Sequence, residues 1–300
     1  MGSGATAVTI VPAMAKKAAH VIMLQRSPSY VVSMPTDDSF ANGLRKWLPQ
    51  KLAYRLTRLK NIFQQTLIYY ICKKYPKYVK RTLRKLLIGQ LGHNFDVDTH
   101  FHPKYGPWDQ RLCLLPNGDL FKSLVDGSVT ILTDCILRFT ETGIALKSGE
   151  SIEADIIVTA TGFDLLPMGG VTLTVDDKII DLSDSVTFKG VMLSGILDLL
   201  VAVGYTNASW TLKCDLTSHN VSKLLSLMEE HGYRHFRCDN SANLQKAPIT
   251  DLSSVCVKRA IDRFPKQGTK RPWRLYQNYF VDFFVIYKVW FHQKLRNKVH

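Results

Sequence analysis

Met1-Gly2-Ser3-Gly4-Ala5-Thr6-Ala7 opens the chain with a G-x-G-x-x-A spacing, and an apolar, alanine-rich segment runs on through Val11 and Met14 to Ala19. A strand-like run, His20-Val21-Ile22-Met23-Leu24, follows and closes at Gln25-Arg26-Ser27. This order predicts a tight glycine turn leading into a helix. Gly2 permits the turn, Gly4 lets the backbone approach a pyrophosphate, and Ala7 is small enough for the helix to pack closely on its sheet. The helix N-terminus then faces the phosphate charge. Where an NAD site carries an acid after its second strand, this chain carries Arg26, which favours the 2′-phosphate of NADP.

A turn of this kind follows a buried parallel strand, yet only Met1 precedes Gly2. That strand is central in its sheet, and without it each buried unpaired backbone group costs about 1–3 kcal/mol. The chain therefore reads as cut immediately before its own motif. The fold class expected is α/β, an incomplete Rossmann-like dinucleotide-binding fold with a basic helical insertion.

A length of 300 residues allows one large or two ordinary domains. The composition, 46% apolar and 21% charged, is that of a globular protein. Six cysteines are scattered without a C-x-x-C pair, and there is no secretory signal pattern, so reduced thiols and a cytoplasmic setting are expected. A disulfide framework or zinc ribbon is not. His93, His100 and His102 lie close in sequence, but no carboxylate or cysteine accompanies them at a ligand spacing, so no metal site is assigned.

The net charge of +14 is concentrated in one block. Between Ser39 and Phe95 there are 13 Lys and Arg and no Asp or Glu. Such a block suits anionic lipid, nucleic acid or a phosphorylated cofactor, and equally a solvated helical face. Within it Leu44, Leu48, Leu52, Leu56, Leu59, Phe63 and Leu67 recur at steps of three and four, predicting an amphipathic helix from Leu44 to Ile71 broken near its start by Pro49. Pro76 separates a second basic helix, from Tyr78 to about Leu87, ended by Gly89 and Gly92. Late in the chain, Tyr279 to Phe291 is too short for the ~20 residues of a membrane span and is interrupted by Asp282 and Lys288. With Trp273, Trp290 and the tail Lys294-Leu295-Arg296-Asn297-Lys298 it suits a membrane surface, or a terminal helix docked on the core.

From Asp96 to Phe121 the chain reads as loop-rich and aromatic, as in Phe101-His102-Pro103-Lys104-Tyr105-Gly106-Pro107-Trp108. Strand-like runs follow at Val129–Leu132 and Ile144–Leu146. Asp155-Ile156-Ile157-Val158 reads as a buried strand entering the turn Thr159-Ala160-Thr161-Gly162, the kind of place where doubly wound folds bind ligands. Leu199 to Val203 reads as a second buried strand. A helix is expected from about Ser209 to Glu230, capped by Asn207 or Ser209 and stopped by Gly232. Its N-terminus carries about half a positive charge, suited to an anionic group such as a reduced flavin ring.

Several blocks together resemble the flavin-containing monooxygenases, in particular the Baeyer–Villiger, ethionamide-activating branch. They are Gly2 to Thr9, Gln25-Arg26-Ser27-Pro28-Ser29-Tyr30, Pro107-Trp108-Asp109-Gln110-Arg111-Leu112-Cys113, Pro116 to Phe121, Ala160-Thr161-Gly162-Phe163-Asp164, and Gly204 to Lys213. The resemblance implies FAD and NADP as cofactors. It implies that Gly2, Ser3, Gly4, Ala5, Thr6 and Ala7 form the NADPH fingerprint and that Arg26 and Ser27 hold the 2′-phosphate. Thr161 and Gly162 would lie in the linker where the chain returns to the FAD domain. Asn207 and Ser209 would set a helix start against the flavin pyrimidine end.

Domains implied are residues 1–153 for NADP, with the helical insertion at about 40–92, and 154–300 for the later part of the FAD domain. The implied reaction is oxygenation of a small-molecule ketone, sulfide or amine through a C4a-peroxyflavin, with peripheral membrane contact open and no nucleic-acid partner. The family's FAD fingerprint and its F-x-G-x-x-x-H-x-x-x-W-type motif are absent from these residues. So is the arginine that Baeyer–Villiger members place after the R-[ST]-P segment: here the loop reads Val32-Ser33-Met34-Pro35-Thr36-Asp37-Asp38. The alternative reading is a non-catalytic remnant with at most weak NADP binding, or a basic membrane-surface module.

Overall fold

A computed structural model describes residues 1–110, 112–238 and 244–288. Two units are distinguished: Met1–Lys60 with Ile68–Phe163, and Asn61–Leu67 with Asp164–His300. Within the first unit the order is α1 (Ala5–Ala15), β1 (Val21–Gln25), β2 (Val31–Met34), α2 (Ser39–Trp47), α3 (Gln50–Lys74), α4 (Pro76–Leu91), α5 (Val97–Phe101), β3 (Cys113–Pro116), α6 (Asp119–Val125), β4 (Val129–Thr133), β5 (Ile136–Phe139), β6 (Gly143–Leu146) and β7 (Ser151–Glu153). The middle of α3, Asn61–Leu67, groups with the second unit.

The parallel strands hold the first unit together. β1 pairs with β4 from Val21↔Val129 to Gln25↔Thr133, and β2 pairs with β3 from Val31↔Cys113 to Met34↔Pro116. The β5-β6-β7 meander is antiparallel. α1 forms because its Ala- and Val-rich face has a sheet to bury against. Ala7, Val8 and Val11 are buried in one cluster with Val21, Met23 and Ile131. The helix ends at Ala15 rather than Ala19, since Lys16 and Lys17 follow and the next backbone bonds close a turn on Met14 O.

Pro49 splits the basic helical stretch as its ring demands: α2 stops at Trp47, and α3 begins immediately after the proline, with no side-chain cap. α2 does have a cap, since Asp38 accepts from the Phe40 and Ala41 amides. In α4 the structure departs from expectation, because Gly89 lies inside the helix and only Gly92, at φ 88°, ends it. The stretch from Asp96 to Phe121 is also more ordered than a loop. It carries α5, capped by Asp96 on the Thr99 amide, then β3 and the start of α6.

Two expected strands are not strands. Asp155 to Val158 belongs to no sheet element, and Ile156 is 76% exposed. This run is paired over one residue only: the Met1 amine donates to Val158 O at 2.7 Å, and Ala160 N donates to Met1 O at 2.8 Å. Its apolar side chains thus have no sheet face to be buried in. Leu199 to Val203 likewise forms no strand, keeping only an isolated Met192↔Leu200 bridge.

The second unit contains short antiparallel pairs: β8 (Thr174–Val175) with β9 (Lys178–Ile179), β10 (Thr187–Phe188) with β11 (Met192–Leu193), and β12 (Lys246–Pro248) with β13 (Lys266–Gly268). Its long helix is α7 (Trp210–His231), stopped by Gly232 in the left-handed conformation. α8 (Val255–Ala260) and α9 (Tyr279–Lys288) follow. Arg111, Trp290, Phe291 and the basic tail from Lys294 to Lys298 lie outside the described residues.

Candidate dinucleotide-binding site

Met1 and Gly2 occupy the line of a central strand. Besides the two bonds to Val158 and Ala160 on one side, Gly2 N donates to Leu24 O of β1 at 2.8 Å on the other. The glycine turn therefore opens at the carboxyl end of β1 and leads directly into α1. Gly2 has φ +130°, and a Cβ there would stand 2.2 Å from Ala160 O, so the fold itself requires glycine. This same contact brings the fingerprint against the Ala160-Thr161-Gly162 turn. Thr161 and Gly162 are exposed beside it, with Gly162 at φ +109°.

Gly4 is different. It precedes α1 at φ −83°, a conformation open to any residue, and a Cβ there would meet nothing within 4 Å. No protein atom explains the glycine. The open space lies next to the first-turn amides of Ala5 and Thr6, which are exposed, while Ala7 is 4% exposed and packs into the core. Among these residues Ser3 Oγ accepts from Ser29 Oγ at 3.1 Å, tying the glycine turn to the loop after β1. Arg26 and Ser27 are exposed in that loop, and Arg26 makes no ion pair among the described residues. Glycine turn and helix N-terminus, with an exposed cation on the loop that Ser29 ties to Ser3, are features suited to a phosphorylated ligand.

Gln25, the residue before Arg26, is buried and fixes the end of β1. Its Nε2 donates to His100 O and to Thr133 Oγ1, both at 2.8 Å. His100 Nδ1 pairs with the same Thr133 hydroxyl at 2.8 Å, and burial lowers its pKa. His100 thus belongs to the frame of β1 and β4. No group of three metal-ligating side chains gathers among the described residues.

Asn207 and Ser209 lie in the second unit, at the start of α7. A Cβ on Gly204 would stand 2.1 Å from the Trp210 ring, so glycine is needed for the turn to enter the helix. Neither polar side chain caps α7 as expected. Ser209 holds the cap position, but its hydroxyl pairs with Thr211 Oγ1 at 2.7 Å. The Asn207 amide group donates to Gln277 O at 2.8 Å. Asn207 Oδ1 is left buried without a hydrogen-bond partner, lining a small cavity with Tyr205, Leu212, Gln277 and Ile62. That cavity holds about 10 Å³, room for no more than one water, so Asn207 Oδ1 faces a closed space and not a ring-sized one.

Beneath this turn lies a cluster that sequence reading missed. Lys213 Nζ stands 2.6 Å from Asp282 Oδ2, and Tyr205 Oη donates to the same oxygen at 2.7 Å. All three residues are buried, at 1–3% exposure. Burial pushes the Lys213 ammonium down and the Asp282 carboxyl up, each opposed by their mutual attraction. Burial and the Asp282 charge raise the Tyr205 phenol. Asp282 is thus no interruption of an apolar surface but the anchor of α9. The signal was the pairing of one Lys with one Asp in otherwise apolar surroundings, hidden by a separation of 69 residues.

Known proteins resemble this chain in sequence and in fold. The FAD-containing monooxygenase EthA of Mycobacterium tuberculosis is 48% identical over 284 residues, 94% of this chain and 58% of its own length. The probable FAD-binding monooxygenase AlmA of Acinetobacter baylyi is 45% identical over 285 residues, 94% of this chain and 57% of its own. The chain therefore spans less than three fifths of either relative. Among solved structures, an oxidized steroid monooxygenase bound to NADP superposes with a TM-score of 0.66 at 14% identity, over 96% of this chain and 64% of that one. OTEMO in complex with FAD and NADP superposes at 0.58 and 17% identity, over 77% and 53%. These likenesses show the fold, the partial Rossmann-like α/β architecture expected from the sequence. No family model matches. Over 94% of its residues the chain is a relative of the FAD-containing monooxygenases, and the resemblance first carried by Gly2–Ala7, Ala160–Gly162 and Gly204–Lys213 is that kinship.

Proposed function

We propose that the chain provides the NADPH-binding part and a flavin-contacting part of an NADPH- and FAD-dependent monooxygenase. Its substrate would be a small molecule oxygenated at a ketone carbonyl or at a sulfur or nitrogen centre. The observation that carries the reading is the contrast between the two fingerprint glycines. Gly2 is locked against Ala160 O, while Gly4 borders empty space beside the free amides of α1. Within this reading Gly2, Ser3, Gly4, Ala5, Thr6 and Ala7 receive the pyrophosphate, and Arg26 and Ser27 bind the 2′-phosphate. Thr161 and Gly162 shape the crevice wall. Asn207, tied to Gln277 O, and Ser209 shape the turn that sets the positive end of α7 toward the flavin ring.

When bound, NADPH supplies hydride and FAD supplies the oxygen chemistry. This chain's residues bind, orient and exclude water. Peripheral contact with a membrane surface completes the proposal, supported by the 13 Lys and Arg between Ser39 and Phe95; no described helix is long and apolar enough to cross a membrane.

A second reading is a non-catalytic chain that binds NADP weakly. The exposure of Ile156 beside the one-residue pairing at Met1 favours it. Flavin absorbance of the purified chain and oxygen-dependent oxidation of NADPH separate the two. A yellow preparation that consumes NADPH supports the first, and a colourless one without turnover the second.

A further inference from the structure

We infer that one face of α3 is the surface on which the chain meets an anionic lipid bilayer. The inference rests on the peripheral contact already proposed and names the face and the lipid chemistry. Leu52, Leu56, Leu59, Phe63, Leu67 and Tyr70 follow each other at steps of three and four, so they form a single stripe about 27 Å long. All six point outward, from 39% exposed at Leu56 to 59% at Phe63. A helix normally turns such a stripe inward, yet the residues α3 does bury, Ala53, Ile62 and Cys72, lie on its other sides. Trp47, at the end of α2 just before Pro49, is 85% exposed.

Cations border the apolar stripe. Lys51, Arg55 and Lys74 make no ion pair among the described residues, and the Lys74 ammonium lies over the Tyr70 and Tyr75 rings at 5.4 and 5.5 Å. No acid occurs between Ser39 and Phe95, and of the 13 cations of that interval Lys60, Lys73 and Arg84 pair with acids outside it, Asp38, Asp109 and Asp98, which leaves the block strongly positive. Charge decides the occupant. A second copy of the chain would set two blocks of like charge together. Nucleic acid would engage the cations and leave a row of leucines in water. An anionic membrane satisfies both features, with leucine and aromatic side chains at the acyl boundary and Lys and Arg among the headgroups.

Sedimentation with vesicles tests this, using phosphatidylcholine alone and phosphatidylcholine mixed with phosphatidylglycerol. The expected result is binding to the mixed vesicles only, weakened about tenfold or more by high salt. Leu59→Ser/Phe63→Ser should lower it by a similar factor. Both side chains are exposed, so the fold is retained, which circular dichroism verifies. Arg55→Glu/Lys74→Glu, which leaves the stripe intact, should weaken binding as well. Leu225→Ser, at an exposed leucine of α7, should leave it unchanged. Absence of binding to the mixed vesicles overturns the inference and the peripheral contact together. Binding that the α3 variants leave unchanged overturns the α3 face alone. Tight capture of duplex DNA without vesicle binding, or a dimer in solution dispersed by Leu59→Ser/Phe63→Ser, overturns the lipid assignment.

Discussion

Gly2 and Gly4, two positions apart, should respond differently to one added methyl group. In Gly2→Ala the new Cβ is forced to φ +130°, which costs about 1–3 kcal/mol for a non-glycine residue. It also collides with a backbone carbonyl, since 2.2 Å to Ala160 O lies far inside contact distance. Backbone must shift, adding about 1–3 kcal/mol of overpacking. The total loss is therefore roughly 2–6 kcal/mol in stability. In Gly4→Ala the methyl meets nothing, φ is −83°, and the expected loss is about 1 kcal/mol or less, from replacing glycine at a helix cap. Affinity should move the other way. If the space beside Gly4 receives a phosphate, Gly4→Ala weakens NADPH binding by about tenfold or more while the chain stays folded. Urea unfolding gives the first quantity and calorimetric titration with NADPH the second. Equal destabilisation by the two substitutions, or a Gly4→Ala chain that binds NADPH as well as the parent, would refute the reasoning.

Other outcomes follow from the second unit. Lys213→Met leaves Asp282 buried without its cation and should cost about 3–5 kcal/mol, whereas Lys213→Met/Asp282→Leu should recover much of the loss; urea unfolding of both variants checks this. Lys189 is 6% exposed, and burial lowers its ammonium from the usual 10.5 to about 8. Between those values the unfolded chain binds the proton and the folded chain does not. Stability should therefore rise with pH from about 8 to 10.5, and the rise should be reduced in Lys189→Met. Thermal melts of the two proteins across that interval would show it, and parallel slopes would contradict it.

Local signals carried the parts of the fold that depend on neighbours in sequence. The start of α1, the strand at Val21 to Gln25, the break at Pro49 and the stop at Gly232 each follow from a residue's own backbone limits. Burial of a short apolar run does not. Ile156-Ile157-Val158 has the composition of an inner strand, but whether it is buried depends on how many partners run beside it, and its pairing extends over one residue. Leu199 to Val203 fails for the same reason. The β2–β3 pair was illegible because its two strands, Val31–Met34 and Cys113–Pro116, are separated by four helices, α2 to α5. At the sites, the glycine spacing placed Gly2 to Ala7 on one turn. The roles of Ser29 and of the Tyr205–Lys213–Asp282 cluster needed coordinates, since each joins residues far apart in sequence.

Arg26 gives the most direct test of the central claim, that the corner formed by Gly2, Gly4, α1 and the loop after β1 is a site for a 2′-phosphorylated dinucleotide. Titration of the chain and of Arg26→Ala with NADPH and with NADH compares ligands that differ only in that phosphate. The account predicts tighter binding of NADPH by the parent and a preference reduced about tenfold or more in Arg26→Ala, with NADH affinity unchanged. A parent chain that binds neither nucleotide, or prefers NADH, would contradict it.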